Sequence, residues 1–256
     1  MDVSYILFIL FIITYLTLWC YKNYYEITTP LRFIRTDLQN TPYATISDSF
    51  YTKNDCTYLV HQINHSGFIV SNPLNTAFEN TKGFVMQFTD NSHLHQQFQQ
   101  HNATFIYNVF TKIKNPKCNA FICNVLIIPP RNNEPNNIQS PAIGMHHDCT
   151  INISEQYFPN RIYLPKCVSV LYIQIPEQFT DGELELYSFI SFSKTPNQII
   201  KPKLGRLVVF RGDLVHSVKS FDSIEDTPRI SMVFEQYIIP PHLVPTKPFE
   251  FLSKTH

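Results

Sequence analysis

Glycine is scarce in this chain, with six residues among 256. Neither a G-x-G-x-x-G nor a G-x-x-x-x-G-K-[ST] motif occurs, and both loops depend on glycine to bring the backbone close to a phosphate. An excess of positive charge is also missing, since 20 Lys and Arg balance 20 Asp and Glu and no basic stripe is present. The sequence therefore gives no indication of nucleotide chemistry or of nucleic-acid binding.

Paired cysteines are lacking as well. The six cysteines form no C-x-x-C pair and have no regular spacing, which argues against a zinc ribbon and against a small disulfide framework. A chain of this length has room for one domain of about 150 to 200 residues plus an appendage, and such a domain buries a full core without disulfides. A reducing compartment fits this cysteine usage best.

One long apolar run lies at the N-terminus. Residues 3–21 contain no charge, and as a helix they would span about 29 Å, close to the ~30 Å hydrocarbon core of a bilayer. A cleaved signal peptide is the alternative, but no Lys or Arg precedes the run and no A-x-A-like site follows it. Because Lys22, Arg32 and Arg35 come after the run, the positive-inside tendency predicts a single-pass membrane protein with its main domain in the cytoplasm.

The rest of the chain divides by its pattern of apolar and polar residues. Residues 1–22 are predicted as the membrane anchor, and residues 23–55, which lack sustained periodicity, as a juxtamembrane connector. Residues 56–256 are predicted as one folded domain whose core lies at about 120–240. Between residues 91 and 113 apolar side chains recur at helical spacing, which indicates one amphipathic helix, or two short ones, covering a sheet.

The core has the composition of β-strands. Short β-branched and aromatic runs are punctuated by Pro, Gly and Asp, in CNVLIIPP, CVSVLYIQIP, GELELYSFI, GRLVVFRGD and RISMVFEQYIIPP. No strong helical signal separates them, which favours a sandwich, jelly roll or barrel over a parallel α/β sheet. The predicted fold class is therefore mainly β with flanking α-helices, an α+β arrangement.

Three metal-capable side chains crowd into the segment GMHHDCT. In an extended segment side chains i and i+2 share a face, so His146 and Asp148 can converge on one ion while His147 points elsewhere. His216 follows a strongly β-like run and could return across a barrel to the same point. Two His and one carboxylate on one face of an octahedral ion leave three positions open, which suits an Fe(II) centre that binds a chelating co-substrate and dioxygen.

Two further polar residues, Arg229 and Ser231, follow His216 in the sequence. Arg229 offers a planar fork for a carboxylate, and Ser231, two positions on, shares its strand face. Arg206 and Arg211 precede His216 and are predicted to pair at the surface instead. The order H-x-D, H, R-x-S resembles the 2-oxoglutarate and Fe(II)-dependent oxygenase superfamily, most closely its prolyl-4-hydroxylase-like branch.

The resemblance covers about residues 121–240 and includes CVSVLYIQIPEQFTDGELELY and GRLVVFRGDLVHSV. At Asp181-Gly182 related sequences commonly have two glycines. The resemblance implies a double-stranded β-helix, or jelly roll, here preceded by one transmembrane helix. It also implies three iron ligands, namely His146, Asp148 and His216.

The same resemblance implies a co-substrate and a reaction. Arg229 would bind the distal carboxylate of 2-oxoglutarate, with Ser231 and Tyr172 as further hydrogen-bond partners. Fe(II), 2-oxoglutarate and O2 would serve a hydroxylation that releases succinate and CO2, with ascorbate as a further cofactor that the resemblance allows. Desaturation remains open, and the substrate is a peptide, a lipid or a small metabolite.

Two other classes of function remain open from the sequence. One is a catalytically idle metal-binding β-helix that acts as a membrane-tethered sensor or scaffold, which has no need of the dicarboxylate clamp at Arg229. The other is a secreted sugar-binding or zinc-dependent jelly roll, which requires the domain to lie outside the cytoplasm.

Overall fold

The structure is a computed structural model, and it describes residues 8, 10–20, 32–34, 42–71, 76–78, 81–131, 141–151, 161–188, 195–245 and 247–252. The chain forms two units, described separately below: Met1–Ile34 with Ser154–Ile162, and Arg35–Ile153 with Tyr163–His256. In the first unit, strand β1 (Arg32–Ile34) pairs with β7 (Arg161–Tyr163), whose first two residues belong to the same unit.

The predicted membrane anchor, residues 3–21, lies partly outside the described residues. Residues 10–20 are helical. Among the residues that the structure describes, no helix is both long enough and apolar enough to cross a bilayer. The membrane anchor therefore stays a prediction.

Among the described residues, the second unit contains two large antiparallel sheets and one smaller strand pair. In spatial order the eight-stranded sheet consists of β16 (Phe249–Leu252), β4 (Lys82–Thr89), β5 (Ala120–Ile128), β15 (Arg229–Tyr237), β8 (Cys167–Gln174), β12 (Leu207–Arg211) and β2 (Ala44–Ser47), with β3 (Val70–Ser71) pairing with β4. The four-stranded sheet consists of β11 (Gln198–Ile200), β10 (Leu184–Tyr187), β13 (Val215–Val218) and β6 (Ile143–His146). A separate pair joins β14 (Phe221–Ser223) to β9 (Phe179–Asp181).

One edge of the larger sheet lies inside the predicted connector, residues 23–55. Strand β2 pairs with β12 from Ala44 opposite Phe210 to Ser47 opposite Leu207. Backbone hydrogen bonding to a distant strand leaves no periodic signal in so short a segment, and the domain boundary at residue 55 stays a prediction. Residues 23–31 and 35–41 of the predicted connector lie outside the described residues.

Three α-helices complete the described part of the second unit. They are α1 (Lys53–His65), α2 (Leu94–Gln100) and α3 (Thr104–Ile113), and 3-10 turns lie at Thr76–Phe78 and Pro241–Leu243. The amphipathic segment predicted between residues 91 and 113 is thus two short helices. Asn102 lies between them with a φ of 54°, a left-handed conformation that asparagine tolerates better than most residues.

Successive side chains along the strands of the larger sheet point to opposite faces, and each face packs into its own hydrophobic core. On one face, buried residues of β4, β5, β8 and β15 pack with the three helices, through side chains such as Phe88, Phe121 and Ile63. On the opposite face, residues such as Val170 pack with Leu186 of the smaller sheet. The mainly β prediction with flanking helices is confirmed, and two sheets facing each other across a shared core are consistent with a jelly roll.

Candidate functional site

Strand pairing brings the two predicted histidine ligands together. Strands β6 and β13 are antiparallel neighbours, with His146 directly opposite His216 and 4.2 Å between the ring centroids. Asp148 lies two residues past the end of β6. One ligand atom from each of the three residues lies within 4.8 Å of the others, and His147 is not part of this cluster. The predicted trio is therefore adjacent in space, and its binding of iron stays a prediction.

The atoms of the cluster are spaced as ligands of one ion would be. Asp148 Oδ1 lies 3.5 Å from His146 Nε2, and its Oδ2 lies 3.5 Å from His216 Nε2, which is long for a hydrogen bond. Asp148 Oδ2 is buried and has no hydrogen-bond partner among the described residues. Two ligands about 2.1 Å from one ion and at right angles to each other lie about 3 Å apart. A metal ion therefore fits this donor set.

Backbone carbonyl oxygens fix the orientation of both rings. His146 Nδ1 lies 2.8 Å from the Gly144 oxygen, and His216 Nδ1 lies 3.4 Å from the Leu214 oxygen. A metal-binding histidine commonly donates its second ring N–H in this way, which sets the tautomer and leaves the other nitrogen for the metal. In both residues that other nitrogen is Nε2, the atom that faces Asp148.

The surroundings of His216 and Asp148 favour the protonation states that a metal needs. Burial lowers the pKa of His216 to about 4, against an opposing effect of the Asp148 charge. Burial acts to raise the pKa of Asp148, but the charges of His216 and His146 outweigh it and lower that pKa. Burial acts to lower the pKa of His146, but the nearby Asp148 carboxylate outweighs burial and raises that pKa, so His146 would give up its proton when it binds a metal. A neutral His216 and an ionised Asp148 are the forms that bind metals.

The three predicted co-substrate residues share the interior face of the larger sheet. Ser231 on β15 lies directly opposite Tyr172 on β8, and the Arg229 guanidinium carbon lies 5.3 Å from the centre of the Tyr172 ring. Arg229 is 3% exposed, and it forms no ion pair with a carboxylate among the described residues. Its Nε and the Tyr172 hydroxyl are buried without a hydrogen-bond partner there. A buried guanidinium without a counterion is costly, so this pocket fits an anion.

A strained turn supports the guanidinium. Arg229 Nη1 donates a hydrogen bond of 2.5 Å to the Gly182 carbonyl oxygen. Gly182 has a φ of 77°, and Asp181 before it has a φ of 64°. The Asp181-Gly182 pair therefore forms the turn with both residues in the left-handed region, which aspartate tolerates better than most side chains.

The two other candidate arginines are paired elsewhere. Arg206 Nε lies 2.6 Å from Asp48, and Arg211 Nη2 lies 2.6 Å from Asp213. The guanidinium of Arg229 is thus the one of these three that faces the interior without a carboxylate.

Two polar residues of the site were missed by the sequence reasoning. One cavity is lined both by the metal-capable cluster and by Arg229, Ser231 and Tyr172, and Asn124 of β5 also lines it. Glu235 lies on the same face of β15 as Arg229 and Ser231. Each of them is a polar residue within an apolar strand, Asn124 in FICNVLI and Glu235 in SMVFEQY. That pattern is the sequence signal that could have indicated them.

Glu235 supports the segment that carries Asp148. Its carboxyl accepts hydrogen bonds from the Thr150 hydroxyl at 2.6 Å and from the Thr150 backbone N–H at 3.2 Å, and the Tyr237 hydroxyl also donates to it. Burial, and next the charge of Asp148, raises the pKa of Glu235 to about 8. Because Asp148 lies beyond the end of β6, these bonds hold residues 147–151, a stretch in which the structure describes no strand.

Comparison with known proteins gives a likeness in fold only. No protein-family model and no curated protein matches the sequence. A Pseudomonas putida prolyl-4-hydroxylase is similar at 14% identity and a TM-score of 0.44, over 78% of this chain and 95% of that one. A Trichoplax adhaerens prolyl hydroxylase, solved with a hypoxia inducible factor peptide fragment, has 14% identity and a TM-score of 0.45, over 86% and 92%.

A third similar structure is an oxidoreductase of the 2OG-Fe(II) oxygenase family from Burkholderia pseudomallei. It has 13% identity and a TM-score of 0.46, over 83% of this chain and 97% of that one. What the site can do chemically follows from its own residues and distances.

Proposed function

We propose that this protein is an Fe(II) dioxygenase that uses 2-oxoglutarate and O2 to hydroxylate a C–H bond, with release of succinate and CO2. The observation that carries this proposal is one buried cavity with two complementary parts. One part holds His146, Asp148 and His216, and the other holds the guanidinium of Arg229 without a carboxylate partner. A metal site alone has no need of a buried cation, whereas a dicarboxylate chelating the metal needs both.

Each residue has a role that follows from its position. His146, Asp148 and His216 would hold Fe(II), which when bound supplies the activation of O2. Arg229 and the Tyr172 hydroxyl would bind the distal carboxylate with charge-assisted hydrogen bonds, which are stronger than neutral ones. Burial of these groups excludes water from them, so the hydrogen bonds gain strength in the low-dielectric interior.

Succinate formation by the full chain tests the proposal. The protein is loaded anaerobically with Fe(II), given 2-oxoglutarate and then exposed to air. We expect His216→Ala to abolish succinate formation. Arg229→Ala removes hydrogen bonds to a charged group, each worth about 1.5–3 kcal/mol, so we expect the KM for 2-oxoglutarate to rise at least tenfold.

The matched control is Arg206→Ala, which removes an arginine paired with Asp48 outside the cavity. It should leave succinate formation and the KM unchanged. Binding of Fe(II) and 2-oxoglutarate without succinate would favour the idle sensor or scaffold. If neither binds to the wild-type chain, the oxygenase proposal is wrong.

The apolar run of residues 3–21 supports a further part of the proposal, which is that the enzyme is tethered to a membrane with its catalytic domain in the cytoplasm. Protease treatment of intact and of opened membrane vesicles tests this. A domain on the cytoplasmic side is digested only from that side, and recovery of the full chain without membranes would contradict the tether.

A further inference from the structure

An unpaired amide lies in the cavity beside the metal-capable cluster. Asn124 belongs to β5, whose other residues are nearly all apolar, and it is 3% exposed. Its Oδ1 is buried without a hydrogen-bond partner among the described residues. A buried amide left unsatisfied costs about 1–3 kcal/mol. Rotation of the amide by 180° exchanges Oδ1 and Nδ2, so a ligand that accepts a hydrogen bond can complete this position.

The strand register places this amide away from the guanidinium. Arg229 lies opposite Ile128 of β5, and Val233 lies opposite Asn124. Ile128 and Asn124 are four residues apart along β5, which corresponds to about 13 Å of backbone. The Arg229 guanidinium lies over the ring of Tyr172, which is opposite Ser231. Part of that distance is therefore covered, and what remains suits a short dicarboxylic acid.

The two ends of the cavity therefore differ chemically. At one end Arg229 and Tyr172 present a positive charge and a hydroxyl to a carboxylate. Asn124 lines the same cavity, at the level of Val233 on β15. Two residues further along β15, Glu235 bonds to Thr150 of the segment that carries Asp148, so Asn124 lies toward the metal-capable end. A 2-oxo acid that chelates a metal presents oxygen acceptors at its chelating end, and the Nδ2 of an asparagine can donate two hydrogen bonds to such acceptors.

We propose that Asn124 hydrogen-bonds the 2-oxo-carboxylate end of the co-substrate, opposite the end bound by Arg229. This inference rests on the proposed oxygenase function and adds a residue to it. Asn124 then orients the chelating end. An aspartate in its place would repel that end, because two carboxylates would face each other.

A comparison of two acids that differ at one end distinguishes the role of Asn124 from that of Arg229. The full chain is loaded anaerobically with Co(II) in place of Fe(II), and 2-oxoglutarate or pyruvate is titrated in a calorimeter. Pyruvate keeps the 2-oxo-carboxylate group and lacks the distal carboxylate. The loss of one neutral hydrogen bond, about 0.5–1.5 kcal/mol, is a factor of about 2 to 12 in affinity.

We expect Asn124→Leu, which keeps the branching and the number of heavy atoms, to weaken both acids by the same factor, about fivefold by that reasoning. Asn124→Asp should weaken both more strongly. Arg229→Leu should weaken 2-oxoglutarate and leave pyruvate unchanged. Asn108→Leu, on the exposed side of α3, is the matched control and should bind both acids like the wild type.

Each other outcome overturns the inference. If Asn124→Leu binds both acids as the wild type does, or weakens 2-oxoglutarate alone, the amide does not contact the chelating end. If the Co(II)-loaded wild type binds neither acid, the proposed function fails and this inference fails with it. Thermal unfolding of every variant establishes that it is folded. If Asn124→Leu is not folded, Asn124→Asp takes its place in the comparison.

Discussion

The carbonyl oxygen of Gly182 holds the guanidinium that faces the interior cavity. The position of this oxygen depends on the Gly182 φ of 77°. A Cβ on Gly182 would lie 3.1 Å from the Phe221 Cβ and 3.7 Å from Arg229 Nη1. Backbone conformation and co-substrate binding are therefore linked at one residue. Gly67 has nearly the same φ, 74°, but a Cβ there would meet nothing within 4 Å.

This difference makes the two glycines a matched pair. We expect Gly67→Ala to lower the free energy of unfolding by about 1 kcal/mol, the cost of a left-handed alanine, and to leave the affinity for 2-oxoglutarate unchanged. Gly182→Ala should cost more and should also weaken 2-oxoglutarate, because the new methyl group displaces the carbonyl from Arg229. Urea unfolding and calorimetry measure the two effects. Equal behaviour of the two variants would show that the turn does not support the guanidinium.

At the same scale, the sequence predicts residues whose chemistry is specific and misses residues whose role depends on context. His146, Asp148 and His216 were predicted from order and spacing, and the structure brings them within 4.8 Å. Asn124 and Glu235 carry no motif, and only the pairing of β5 with β15 and the path of the segment at Thr150 place them at the site. Tertiary contacts of this kind are not encoded in local periodicity.

Among the elements, strands with strong β composition were predictable, whereas short or edge strands were not. The runs CVSVLYIQIP and GRLVVFRGD contain β8 and β12, as expected. Strand β2 gave no signal, because four residues of which three are exposed have no alternation to detect. The two-helix form of residues 91–113 was left open by periodicity, and it follows from the left-handed turn at Asn102.

Helix α1 shows how an element outside the site bears on it. The helix begins with a capping box, in which the Thr52 side chain accepts a hydrogen bond from the Asp55 N–H and the Asp55 side chain accepts one from the Thr52 N–H. Just before it, Tyr51 donates a hydrogen bond to the Gly205 carbonyl, and Gly205 in turn donates to the carbonyl of Tyr172. The start of α1 is thus connected through backbone bonds to a residue of the cavity.

We expect Thr52→Ala to lower the free energy of unfolding by about 1 kcal/mol, since an N-cap bond is lost. The control is Thr57→Ala inside the same helix, where the hydroxyl only bonds back to the Lys53 carbonyl. Thr57→Ala should raise the free energy of unfolding by a few tenths of a kcal/mol, because alanine is the better helix former. Urea unfolding measures both, and an equal loss in the two variants would show that the cap contributes nothing specific.

For the whole molecule, buried titratable groups of the site make stability depend on pH. The pKa of Glu235, raised to about 8 by burial and then by Asp148, compares with an ordinary value of 4.5. Between these values the native state keeps a proton that the unfolded chain has released, so stability falls as pH rises. His216, with a pKa lowered to about 4 from 6.5, acts oppositely, because below 6.5 the unfolded chain binds the extra proton.

The two effects offset each other between about pH 4.5 and 6.5, and Glu235 acts without that offset between 6.5 and 8. The metal-free wild-type chain should therefore lose stability over this upper range, by at most about 1.4 kcal/mol per pH unit from this group. Glu235→Gln keeps the acceptor for Thr150 and removes the titration. Its free energy of unfolding in urea should decline more shallowly with pH, and the residual slope reflects the raised pKa of His146. An identical slope in the two proteins would show that Glu235 is already ionised at pH 6.5.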